Sequence, residues 1–181
     1  MSSTNKQLLA ITFFALSFLI AKGQDEKITL KLRHIKGVQG IDIGAGVTKF
    51  STYYQLSYYY FLGDKYFIKP SLSYETGKIG LTKYSEYSLL LGFERCFLKY
   101  RDFVFLNGGV SPVIQLQNNR NEVLQQNSTY YPWGISADVN VEIFVLSKVA
   151  LFGSLSEIYS PKDKFGNFRY LLGGGLKINL N

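Results

Sequence analysis

His34 and Cys96 are the only histidine and the only cysteine in the sequence, and between them they bound its chemistry. A Ser-His-Asp relay needs a histidine to move the proton. His34 precedes every segment that reads as a strand, so neither such a relay nor a histidine–carboxylate pair of the His-Asp kind is expected on those segments without a partner chain. A zinc site draws on several thiolates or imidazoles, and Cys96 has neither nearby in the sequence. Its expected role is that of a small buried hydrophobe. A lone cysteine also excludes an intramolecular disulfide framework. The sequence therefore points to no catalytic, cofactor or metal site.

The remaining ionisable residues follow a different pattern. Asp42, Lys69, Glu75, Glu86, Glu94, Asp138, Glu142, Arg169 and Lys177 all fall on the polar side of segments that alternate apolar and polar residues. If those sides face one another, the charges share an interior where each must find a partner. The expected lumen network comprises Glu94, Asp138, Glu142, Arg169 and Lys177, with Arg169 as the bridging cation because its fork can grip two carboxylates. A plugged, salt-bridged core is the expectation rather than a selective pore, because eight strands enclose only the space that side chains fill.

The elements that carry these residues read as eight strands. They run over about 38–47, 52–62, 66–76, 84–99, 103–116, 133–145, 149–159 and 168–180. The sixth is the cleanest: Trp133, Ile135, Ala137, Val139, Val141, Ile143 and Val145 alternate with Gly134, Ser136, Asp138, Asn140 and Glu142. Alternation with period two means strands with two unlike faces. Turns near 63–65, 100–102 and 147–148 are very short. The connections 77–83, 117–129 and 160–167 read as longer polar loops. Short turns at one end and, apart from a tight bend near Thr48 to Ser51, longer loops at the other suit a closed barrel in an outer membrane. Pro70 and Pro112 cannot donate to a ladder, so each is expected to mark a bulge or strand end. The glycines of 40–46 and 173–175 lack dinucleotide-binding spacing and are read as strand-bending positions.

Aromatic residues make up 16% of the chain, heavy enough to suggest interfacial girdles. Tyr60, Phe61, Tyr66, Phe97 and Tyr100 are assigned to one rim and Tyr131 and Trp133 to the other. Several segments exceed the usual globular strand length, and about ten tilted residues span the apolar band of such a membrane. The fold class expected is all-β, an eight-stranded antiparallel up-and-down transmembrane β-barrel. A soluble barrel with its apolar face inward is the competing arrangement.

Residues 1–23 read as a secretory signal: Lys6, an apolar run from Leu8 to Ile20, and Ala21-Lys22-Gly23 before the cut. The apolar run is shorter than the about 20 residues of a membrane-spanning helix. Residues 24–37 follow as a periplasmic lead-in and 38–181 as the barrel, placed in a bacterial outer membrane. The formal charge of +7 comes from scattered lysines and arginines, which suggests loop solvation and lumen pairing rather than a nucleic-acid surface.

Two segments carry a family resemblance. Lys36-Gly37-Val38-Gln39-Gly40 opens the first strand, and Leu171-Leu172-Gly173-Gly174-Gly175-Leu176-Lys177-Ile178 closes the last. With the signal segment, the length and the strand rhythm, the chain resembles the TraO conjugal-transfer proteins of Bacteroidetes conjugative transposons. The resemblance implies a non-enzymatic part of a conjugative DNA-transfer apparatus, structural or anchoring, with outer-membrane lipid and other apparatus proteins as partners. The alternative is a small adhesion or defence barrel acting through its surface loops, with 77–83 and Gln117 to Tyr130 as the contact surface.

Overall fold

The computed structural model describes residues 34–121, 127–161 and 166–180. The expected signal segment, and all of the lead-in before His34, lie outside the described residues. Nine antiparallel segments follow in order: β1 (Gln39–Val47), β2 (Ser51–Phe61), β3 (Tyr66–Ile79), β4 (Thr82–Tyr100), β5 (Val104–Asn121), β6 (Asn127–Tyr130), β7 (Trp133–Phe144), β8 (Val149–Tyr159) and β9 (Phe168–Asn179). Each pairs with its chain neighbour up to β5. β9 pairs with β1, and β4 with β5, so the sheet closes on itself. β6 and β7 both pair with β5 in one register, Gln117 opposite Tyr130 and Ile114 opposite Trp133. They form one stave interrupted at Tyr131-Pro132, where Gln115 N still donates to Pro132 O. The fold is a closed, eight-stranded, up-and-down barrel.

Its faces are inverted relative to a soluble domain. Leu72, Leu89, Ile114, Ile135, Val139 and Leu172 point outward and are half or more exposed. Ser71, Glu86, Glu94, Asn107, Gln115, Asn140, Glu142 and Lys177 point inward and are buried. An apolar exterior around a polar interior is the arrangement of a barrel that meets lipid.

Two of the three long polar connections are shorter than expected, while 160–167 joins β8 to β9 with the expected bounds. β3 continues to Ile79 and β4 starts at Thr82, leaving a tight turn in which Gly80 adopts a φ of +60°. Gln117–Asn121 extends β5, and Asn127–Tyr130 pairs back onto it. Above the apolar band a strand needs no apolar outer face, so polar residues continue the ladder and alternation gives no sign of it. The lower end, which holds Gln39 and Asn179, carries the turns at 62–65, 101–103 and 145–148.

Pro70 and Pro112 mark neither bulges nor strand ends. Pro70 lies opposite Leu91, and Pro112 opposite Ile135, in mid-strand. The β2–β3 ladder skips from Ser57–Ser71 to Tyr60–Ile68, and the β4–β5 ladder from Leu90–Val113 to Phe93–Val110, without a change of register. Each proline costs its stave a rung on one side while the closed sheet holds the alignment. The register shift falls instead between Cys96 and Leu98.

The inward glycines make room for two buried tyrosines. Gly40 lies opposite Tyr59, and Gly46 lies opposite both Tyr53 and Gly173. A Cβ on Gly173 would stand 2.1 Å from the Tyr53 hydroxyl, and one on Gly40 2.1 Å from the Tyr59 hydroxyl. Close approach of a ring, more than strand bending, explains these positions. Gly173→Val is expected to destabilise the folded barrel by about 1–3 kcal/mol through overpacking. A Cβ at Gly153 meets no atom within 4 Å, so Gly153→Val should change denaturant unfolding in vesicles much less than Gly173→Val; equal effects would contradict the packing account.

Candidate functional site

The charged interior is arranged in three tiers. At the lower end Lys177 on β9 reaches past β8 to β7, its Nζ 2.7 Å from Glu142 Oε1. Asn107 Nδ2 donates to the same oxygen at 2.7 Å. Lys177 Nζ also lies 3.9 Å from the Tyr59 ring centroid, with Phe67 and Phe61 at 5.1 and 5.6 Å. A desolvated ammonium over aromatic faces gains a cation–π contribution that water would weaken.

His34 completes this tier. The short run before β1 turns the residue into the barrel mouth, where His34 Nε2 donates to Glu142 Oε2 at 3.0 Å. Its ring stacks on Phe105 at 3.8 Å and 14°. Burial holds the imidazole pKa below its ordinary value, against the raising effect of Glu142, so the ring is neutral at pH 7. The expectation that no histidine–carboxylate pair forms on the barrel is therefore corrected. Alternation says nothing about a residue that enters the lumen from the chain end. Nδ1 of His34 has no hydrogen-bond partner among the described residues.

In the middle tier Lys69 Nζ sits 2.9 Å from Glu94 Oε1 and 3.8 Å from Asp42 Oδ2. Asn140 Nδ2 donates to Glu94 Oε2 at 2.9 Å. Asp138 is partly buried on β7, with its Oδ2 unpaired among the described residues.

In the upper tier Arg169 crosses from β9 to β3 and β4. Its Nη2 lies 2.6 Å from Glu86 Oε1, and its Nη1 lies 3.0 Å from Glu86 Oε2 and 3.3 Å from Glu75 Oε2. Gln115, Ser88 and Tyr84 bind the same two carboxylates at 2.7, 2.9 and 2.7 Å. Ser51 donates to Glu75 as well. Of the five network residues read from the sequence, Lys177 and Glu142 meet directly. Arg169 grips Glu86 and Glu75 instead of Glu94 or Glu142, because those lie nearer its own height in the barrel.

The girdle assignments divide differently. Tyr66, Phe97, Tyr100, Tyr131 and Trp133 are exposed on the outer face, and Tyr60 is half-buried there. Phe61 is the exception: it is fully buried and packs with Val38, Tyr59 and Phe67 inside the lower mouth. The run Tyr58-Tyr59-Tyr60-Phe61 is aromatic on both faces, so composition hides its phase. Cys96 is buried in a cluster with Phe105, Phe144 and Ala150. Among the described residues no group of three histidine, cysteine, aspartate or glutamate side chains could hold a metal.

No protein-family model matches the chain, and no curated protein sequence matches it. Solved structures do. The N-terminal β-barrel domain of Pseudomonas aeruginosa OprF aligns with a TM-score of 0.65 and 14% identity, over 80% of this chain and 98% of that one. Neisserial surface protein A (NspA) aligns with a TM-score of 0.65 and 15% identity, over 79% and 96%. Ail, the attachment invasion locus protein of Yersinia pestis, aligns with a TM-score of 0.53 and 12% identity, over 80% and 100%. At such identities the likeness is one of fold. The fold is that of the eight-stranded outer-membrane barrels.

Arg169→Ala would leave Glu86 buried without its guanidinium, and losing one member of a buried pair costs about 3–5 kcal/mol. The expected result is a matching fall in unfolding free energy in lipid vesicles. Arg169→Lys should recover only part of it, because an ammonium cannot make the two-pronged contact. Full recovery by lysine would contradict the fork geometry.

Proposed function

We propose that this protein is a non-conducting, non-enzymatic outer-membrane barrel that acts through the surface it raises outside the cell. The observation that carries the reading is the lumen itself: three tiers of ion pairs and amide bridges occupy the axis and leave the outer ends of the staves to do the work. An apolar outer face supports placement in a bilayer, and the extension of β3, β4 and β5 at the opposite end supports reading the end with Gln39 and Asn179 as the periplasmic one. β3, β4 and β5 run 14, 19 and 18 residues, well beyond the about 10 that cross the apolar band. They carry paired strands above the membrane. The likeness in fold to a surface protein and to an attachment protein agrees with a contact role.

A second reading is favoured by a specific observation. The Lys36–Gly40 and Leu171–Ile178 segments resemble those of TraO conjugal-transfer proteins, which supports an anchoring role in a DNA-transfer apparatus with other apparatus proteins as partners. With its lumen filled, the barrel would not pass DNA, so this role too would use the rims.

One experiment separates the two. The wild type, and a variant with residues 77–84 and 116–131 shortened to tight turns, are expressed in a non-adherent host and in a donor deleted for the gene. Attachment of the wild type but not of the shortened variant supports the contact reading; equal attachment overturns it. Transfer that falls on deletion and returns with the shortened variant favours the conjugative reading, and unchanged transfer removes it.

A further inference from the structure

The outer face of β3, β4 and β5 is layered by height. Leu72, Leu89 and Ile114 stand in one cross-strand row, and Tyr74, Tyr87 and Leu116 in the row above. Thr76, Ser85 and Asn118 follow, with Thr129 beside Asn118. The next row is Lys78, Lys83 and Arg120, each directly opposite its neighbour and each exposed. Lys78 and Lys83 also engage other groups of the chain. Apolar, aromatic, hydroxyl and amide, then cationic: this order matches the order of groups met on leaving a bilayer. The cations stand four residues above the tyrosines, roughly 13 Å along the strand and about 10 Å along the axis at a tilt near 40°.

The two lower rows of this column line a shallow, open depression of the outer surface. A groove of about 710 Å³ runs across β1 to β5, walled by Ile43, Leu56, Leu72, Tyr74, Tyr87 and Leu116. Its lining is almost wholly apolar, and it opens on the face that the cation row overlooks. The groove has the chemistry to seat acyl chains, and the row above has the charge to meet phosphate.

We propose that this column is a binding site for a phosphorylated glycolipid of the outer leaflet. The acyl chains occupy the groove, and the headgroup phosphates lie against Lys78, Lys83 and Arg120. The inference rests on the outer-membrane reading and names a specific lipid class within it. Arg120 supplies a fork suited to two phosphate oxygens, and the lysines add compact charge beside it. Thr76, Ser85 and Asn118 lie between, at the height where a sugar's hydroxyls would hydrogen-bond.

The test uses the full barrel refolded into phosphatidylcholine vesicles, with or without a minor fraction of diphosphorylated lipid A. Lipid A retained after detergent extraction is measured, together with the temperature at which the folded band is lost on semi-native gels. The wild type should retain lipid A and unfold at a higher temperature in its presence. K83Q/R120Q should fold equally well in plain phosphatidylcholine but bind lipid A on the order of tenfold or more weakly. K83R/R120K should keep most of the binding. Dephosphorylated lipid A should behave as plain phosphatidylcholine, and inorganic pyrophosphate should shift nothing, which distinguishes a lipid from a free anion. Equal retention by K83Q/R120Q, or a shift produced by pyrophosphate alone, overturns the proposal. Failure of the wild type to enter any vesicle overturns the outer-membrane reading and the proposal with it.

Discussion

Among the described residues, six carboxylates share one closed interior with three permanent cations, and the rest of the structure depends on how they are neutralised. Asp42, Glu75, Glu86, Glu94, Asp138 and Glu142 face Lys69, Arg169 and Lys177 across a space too narrow for bulk water. An unpaired charge there is expensive, and a pair is tolerated only when its remaining lone pairs are also bound. That requirement accounts for the amides and hydroxyls packed around each carboxylate. Asn107 and Asn140 serve the lower tiers, and Gln115, Ser88 and Tyr84 serve the upper one. The network also ties staves that are not neighbours in the sheet. β9 is held to β3 and β4 through Arg169, and to β7 through Lys177.

Closure and charge support each other. Joining β9 to β1 and β4 to β5 leaves no exposed sheet edge, which a backbone in hydrocarbon cannot tolerate. It also brings the polar sides of all staves together, and that is where the ion pairs form. The aromatic cluster under Lys177 and the stacked ring of His34 then close the lower mouth.

Alternation made the strands, their phase and the eight-stave count legible, because each residue in the apolar band must choose between lipid and lumen. It failed where that choice lapses. Gln117–Asn121 and Asn127–Tyr130 lie above the band, so their polarity read as loop although they pair. Pro70 and Pro112 read as interruptions because a lone strand would break there, but a closed sheet holds register across a missing rung. Phe61 lies in an aromatic run with no polar partner to set its phase. His34 plugs the mouth from outside the periodic segments, and only its contact with Glu142 in three dimensions reveals it. Which carboxylates Arg169 would grip depended on relative stave heights, and a sequence without an alignment does not supply them.

The central claim is that the exposed apolar face meets lipid. Trp133 is the only tryptophan of the chain and is 57% exposed on that face near the upper rim. Its fluorescence in vesicles containing lipids brominated at defined acyl depths therefore reports the claim directly. The account predicts strong quenching by bromines placed near the interface, weaker quenching by those at the bilayer centre, and little quenching by aqueous acrylamide. Full quenching by acrylamide with none from brominated lipid would contradict it.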